Sequence, residues 1–167
     1  MRSFELKSKF PLILVPFSTF NYLLSIEDQK KCLESIKKHM EPNGLIVLDL
    51  LSYSMYPHWF NNDSILRKYK EKVNTDQHQI IQLWKRAEFD SSTQIIKEER
   101  YFKFYDRNGS FIKEELVYWQ NRFFFIGEIA LLLENSGFEL VNVYGDFSFG
   151  PYHHKSEIAI IVAKQIS

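Results

Sequence analysis

Hydrophobic and polar positions change their period several times along the chain. Leu12 to Val15 is an unbroken apolar run of the length expected for a buried strand. After it, Ile26, Leu33, Ile36 and Met40 recur at helical spacing while Lys30, Lys31, Glu34, Lys37 and Lys38 take the other side, which predicts an amphipathic helix. Ser25 and Asp28 mark its start. Their spacing is that of a capping box, in which the serine hydroxyl accepts a first-turn N–H while Glu27 and Asp28 face the positive end of the helix dipole. Glu41-Pro42-Asn43-Gly44 reads as a turn with Gly44 at positive φ, and Leu45 to Leu50 as a second continuous apolar strand. Two strands around one helix predict a βαβ unit, with the strands parallel and both faces of the sheet covered.

The pattern then changes. Residues 52–72 read as irregular or weakly helical, with Tyr53, Tyr56, Trp59 and Phe60 gathered beside Pro57. Ile80 to Phe89, Thr93 to Tyr105 and Ser110 to Trp119 are rich in β-branched and aromatic residues. With turn signals at Asp90-Ser91-Ser92 and Asp106-Arg107-Asn108-Gly109 between them, they predict an antiparallel meander. Lys97, Glu98, Glu99 and Arg100 put charge on both faces of it, so part should be solvated on both sides. Phe125 to Ser136 reads as a second helix ended by Gly137, and Phe138 to Phe147 with Glu157 to Lys164 as two antiparallel strands.

Composition narrows the function classes. The 167 residues suit one domain, able to bury roughly 70% of the surface of its unfolded chain. Lys and Arg number 21 and so do Asp and Glu, which leaves no net field to draw nucleic acid or an anionic membrane. No apolar run approaches the roughly 18 residues that span a bilayer, and Cys32 is the only cysteine, so a cytoplasmic protein without a disulfide is expected.

The order of pieces carries a resemblance. Leu14-Val15-Pro16-Phe17-Ser18-Thr19-Phe20-Asn21-Tyr22-Leu23, then Cys32 through the Pro-Asn-Gly44 turn, then Leu45 to Leu50, then Glu128 to Gly145 resemble, in that order, the C-terminal half of class I S-adenosylmethionine-dependent methyltransferases. The small-molecule branch, with sugar-amine and glycine N-methyltransferases, is the nearest in pattern. The resemblance implies an α/β fold: a partial Rossmann-like sheet made of the family's fourth, fifth, seventh and sixth strands, with an inserted antiparallel β-meander. Residues 1–52 would form the βαβ part of the core, 53–121 the aromatic lid and insert, and 122–167 the helix and hairpin that complete the sheet. The family's glycine-rich G-x-G turn has no counterpart, since the first glycine is Gly44. Met1-Arg2-Ser3-Phe4 resembles the segment after the family's third strand, where an Asp-Met pair touches adenine, so Met1 is expected to match an internal methionine of a longer enzyme.

The resemblance implies S-adenosylmethionine as cofactor and a small-molecule methyl acceptor as substrate, with no metal. Met1, Arg2, Val15, Pro16 and Phe17 are the cofactor-side candidates. Ser18, Asn21, Asp49, Tyr53, Trp59 and Arg122 are the acceptor-side candidates, with Thr19 beside them. Each has a plainer alternative: Phe17 and Phe20 as core with their polar neighbours satisfying a loop, Asp49 as a cap for the next segment of chain, and Arg122 in a surface salt bridge. The family's fourth strand lies at the centre of its sheet, so the first strand here is expected to lack a neighbour and to pair with a second copy or a complementary N-terminal polypeptide. By itself the chain would then be inactive, or a non-catalytic interaction module. His153-His154 does not suggest a metal, because adjacent residues of an extended loop point to opposite faces.

Overall fold

A computed structural model describes residues 1–52, 65–74 and 79–166. The chain divides into two compact units, one made of Met1–His58 with Asn121–Ser167 and the other of Trp59–Gln120.

The first unit holds a sheet of β1 (Phe10–Val15), β2 (Met40–Leu51), β7 (Phe138–Tyr144) and β8 (Ile158–Gln165), in the order β1-β2-β8-β7. β1 and β2 are parallel, with Leu12 beside Leu45 and Val15 beside Leu48, and the other pairs are antiparallel. Helix α1 (Ile26–Lys38) starts as its capping spacing predicts: Ser25 Oγ accepts the Asp28 N–H at 3.1 Å. Helix α2 (Ile126–Asn135) ends at Gly137, whose φ of 82° is the left-handed conformation that glycine adopts at least cost. Leu33 and Ile36 of α1 and Ile129 and Leu133 of α2 share one core with Ile46, Leu48 and Leu50 of β2 and Ile161 of β8. Each of these side chains contributes about 1.5–3 kcal/mol through burial.

Strand alternation decides which face is covered. Ile46, Leu48 and Leu50 are buried, whereas Leu45 and Val47 between them are only half-buried. Leu12 and Leu14 are 48% and 59% exposed. The expectation that both faces are covered is therefore corrected: among the described residues, one face carries the core, and the other is half-buried on β2 and β8 and open on β1. β1 stands at the edge of this sheet.

The turn at residues 41–44 also differs from expectation. β2 already begins at Met40, and Asn43, not Gly44, takes the positive φ, at 63°. Gly44 is needed for close approach instead, since a Cβ there would lie 2.9 Å from the Glu41 carbonyl oxygen and 3.3 Å from that of Phe10.

The second unit is a four-stranded sheet, β3 (Arg67–Asn74), β4 (Gln79–Asp90), β5 (Ile95–Asp106) and β6 (Phe111–Arg122), ordered as numbered. Part of the segment expected to be irregular is thus a strand, β3, antiparallel to β4. Its sequence RKYKEKVN is so charged that no apolar alternation shows. The Asp106–Gly109 hairpin forms as predicted, with Gly109 at a φ of 83°. Glu98 corrects the idea that the charged run is wet on both sides: it is 2% exposed and ion-paired to Lys85 and Arg100. Desolvation lowers the Lys85 pKa, against the pull of Glu98. Among the described residues no helix is long and apolar enough to cross a membrane.

Candidate functional site

Parallel strands place their carboxyl ends together, and here those ends carry the polar residues. β1 ends at Val15, and the chain turns through Pro16, Phe17 and Ser18 into a short 3-10 turn, Thr19–Tyr22. Phe17 and Ser18 both have left-handed backbones, at φ of 56° and 54°. Side chains adopt that conformation at a cost of roughly 1–2 kcal/mol per residue, so the loop is held by its contacts. One contact is the Phe17 N–H donating to Asp49 Oδ2 at 3.0 Å, and another is Thr19 Oγ1 donating to the Pro16 carbonyl at 2.8 Å. The result is that Phe17 is 87% exposed, while Phe20 is buried and packs against Phe124 at 5.7 Å between centroids. Phe20 is core; Phe17 is not.

Asp49 lies on β2, one strand over. Its second oxygen, Oδ1, is buried and accepts no hydrogen bond. An ionised carboxylate has room for about four donors, so this oxygen is an unsatisfied acceptor closed off from solvent. The carboxylate serves the loop that precedes it in the chain, not the segment after it.

Asn21 ties the loop to two further elements. It is fully buried, its Nδ2 donates to the Arg122 carbonyl at 2.7 Å, and its Oδ1 accepts the Leu51 N–H at 3.4 Å. Its amide is thus spent on backbone, which positions the loop. The Arg122 side chain is 9% exposed, pairs with Glu128 of α2 and lies over the Phe124 ring at 5.5 Å. The ion pair expected of Arg122 is present, but it is part-buried, with the arginine side covered. Ser52 and Tyr152, which the sequence does not single out, share a hydrogen bond of 2.9 Å beside this cluster. Only long-range packing brings those two together, so no local pattern announces them.

Along β1 runs an apolar groove of about 480 Å³, lined among others by Met1, Phe4, Leu14, Val15 and Cys32. Met1, Val15 and Pro16 therefore share one surface. Arg2 is turned to Asp28 of α1, with 2.9 Å between Nε and Oδ1. Burial pushes the Cys32 thiol up to about 11, which leaves it an inert core residue. His153 and His154 stack edge to face, and no cluster of metal-ligating residues occurs among the described residues. Tyr53, Tyr56, Trp59 and Phe60 lie outside the described residues.

No protein-family model matches the chain, and no curated protein does. Solved structures do. The chain is similar to the CcbJ methyltransferase from Streptomyces caelestis, with 17% identity and a TM-score of 0.76 over 99% of this chain and 61% of that one. An S-adenosylmethionine-dependent methyltransferase from Clostridium acetobutylicum gives 17% identity and a TM-score of 0.76 over 99% and 62%. CalS10, an amino pentose methyltransferase from Micromonospora echinaspora solved with S-adenosylmethionine bound, gives 18% and 0.67 over 98% and 61%. The chain thus has the mixed α/β fold of part of these proteins and spans about three fifths of their length.

The residues present fit part of S-adenosylmethionine. The groove suits a flat apolar ring. The chain holds no G-x-G turn to cradle the amino-acid tail.

Proposed function

We propose that this chain is part of an S-adenosylmethionine-dependent methyltransferase that modifies a small molecule carrying an amine. The observation that carries the reading is the likeness of nearly the whole chain to solved methyltransferases, one of them an amino pentose methyltransferase. In this reading β1, β2, β8 and β7 are the family's fourth, fifth, seventh and sixth strands. Residues 1–52 and 122–167 form the part of the core beside the cofactor, and 53–121 the insert.

The cofactor, when bound, supplies a methyl group on a sulfonium sulfur. The residues of this chain bind and orient. Met1, Val15, Pro16 and Phe17 form the wall on which the adenine ring rests, with Arg2 fixing the segment by its pair to Asp28. The Asp49 carboxylate accepts a hydrogen bond from the acceptor amine and turns its lone pair toward the methyl group. As the new bond forms, the same group takes the proton that the amine gives up. Phe17 excludes water above the loop, and Ser18 adds a hydrogen bond to the acceptor. Asn21 and Arg122 hold the loop and α2 in register, while Tyr53 and Trp59, also on the acceptor side by resemblance, lie outside the described residues. Positioning and dehydration supply most of the acceleration in such a transfer.

The open edge of β1 is read as the contact for another polypeptide, either a complementary N-terminal portion or a second copy, because its N–H and C=O groups on that side are offered to a partner strand. A single buried thiol suits a cytoplasmic setting.

Calorimetric titration with S-adenosylhomocysteine checks the reading. Only part of the ligand is held, so binding by the isolated chain should be weak, with a Kd of about 1 mM. Absence of any heat at several times that concentration overturns it.

A further inference from the structure

The first nine residues belong to no helix or strand, yet they are bound tightly to α1, and the tie runs through His39. Arg2 pairs with Asp28, the Arg2 carbonyl accepts from Ser35 Oγ at 3.3 Å, and the Phe4 ring stacks on the imidazole of His39 at 4.8 Å. The Leu6 N–H lies 2.9 Å from His39 Nε2, and the Ser35 carbonyl oxygen lies 2.7 Å from His39 Nδ1. These partners leave no choice of tautomer. A backbone N–H only donates, so Nε2 must be bare, and a carbonyl only accepts, so Nδ1 must carry the proton. The folded clamp requires the neutral imidazole. A second proton would set two N–H groups against each other at Leu6.

We infer that His39 is a positioning residue: in its neutral Nδ1–H form it seats residues 1–9 against α1 so that Met1, Phe4 and Leu6 form the outer wall of the apolar groove along β1, and protonation releases that wall. The same three residues line the groove together with Leu14 and Val15. His39 is buried, so water does not replace the lost bond cheaply. The charged groups around the ring are Glu5, Lys7 and Lys9 of the segment and Lys38 of α1. β1 brings none, and Glu41 follows on β2. The inference rests on the proposed function only where it links the clamp to cofactor binding.

Two readouts on the 167-residue chain separate those parts. Nitrogen NMR of the His39 ring should show the Nδ1–H tautomer. Hydrogen exchange at the Leu6 amide, corrected for its intrinsic rate, should speed up roughly fivefold as pH is lowered from about 8 to about 5. His39→Gln keeps one acceptor and one donor without titrating, so Leu6 should stay protected throughout, while His39→Ala should leave it open at every pH. S-adenosylhomocysteine affinity should fall with pH in the wild type and stay level in the Gln variant. An Nε2–H tautomer, or Leu6 protection that ignores pH in the wild type, overturns the clamp whether or not the Gln variant folds. If S-adenosylhomocysteine fails to bind under any condition while the tautomer and Leu6 exchange behave as stated, the clamp stands and the cofactor reading falls.

Discussion

The amide of Phe17 donates to Oδ2 of Asp49 across 3.0 Å, and this one bond joins the strained loop after β1 to the end of β2. The other oxygen of the carboxylate, Oδ1, is left buried without a donor. Removing the side chain should therefore act on both loop and site. Asp49→Ala is expected to lower stability by about 1.5–3 kcal/mol, the net worth of a hydrogen bond to a charged acceptor. Denaturant unfolding measures it. Loss of turnover in the complete enzyme beyond that explained by unfolding would mark the acceptor role of the carboxylate.

Ser18 has a left-handed backbone, and its hydroxyl makes no capping bond to the 3-10 turn beside it. Ser18→Gly should relieve strain and raise stability by about 0.5–1 kcal/mol after the entropy of glycine is set against it. If the hydroxyl contacts the acceptor as proposed, turnover of the complete enzyme should fall while thermal stability rises. A fall in both would point to a bond that the loop itself needs.

How much of the fold and site is legible in the chain depends on range. The capping of α1 by Ser25, the Gly137 stop of α2 and the parallel pair of β1 and β2 all rest on local patterns, and all form. β3 is hidden because Arg67 and Glu71 add charge to that of the three lysines and leave Tyr69 and Val73 as the apolar positions of RKYKEKVN. Asn43 takes the positive φ because Gly44 is required by the backbone of Phe10, a neighbour distant in sequence. The residues of the site are a similar case. Asp49 stands out as a lone carboxylate in an apolar strand, but the bonds of Asn21 to Arg122 and Leu51, and of Ser52 to Tyr152, close loops of up to 101 residues, and nothing local encodes them.

The β4–β5 turn gives a pH test independent of function. Asp90 accepts from the hydroxyls of Ser92 and Thr93 at 2.6 and 2.8 Å, and from the Ser92 N–H at 2.9 Å, which holds its carboxyl down to about 2. A depressed acid contributes its stability above the unfolded value of 3.8 and loses it as pH falls through the folded one. Protection of the Ser92 amide should persist at pH 4 and collapse as pH falls toward about 2. A midpoint near the ordinary Asp value would show that the hydroxyls do not grip the carboxylate.

Leu14 is more than half exposed on the edge strand, so its burial adds little to the isolated chain. Leu14→Lys should change stability by no more than about 0.5 kcal/mol. If β1 receives another polypeptide, the same change should abolish association in light scattering at high concentration. A sharp monomer for the unsubstituted chain, with fast-exchanging β1 amides, would remove the reason to expect a partner there.

The most direct test of the central claim is where a cofactor product lands. Amide NMR of the chain titrated with S-adenosylhomocysteine should move the signals of Met1 to Leu6, Leu14 to Asn21 and Asp49, and leave the second sheet, β3 to β6, unmoved. Shifts confined to β3–β6, or none at millimolar ligand, would contradict the assignment of the β1 groove and the Phe17–Asp49 loop to methyl transfer.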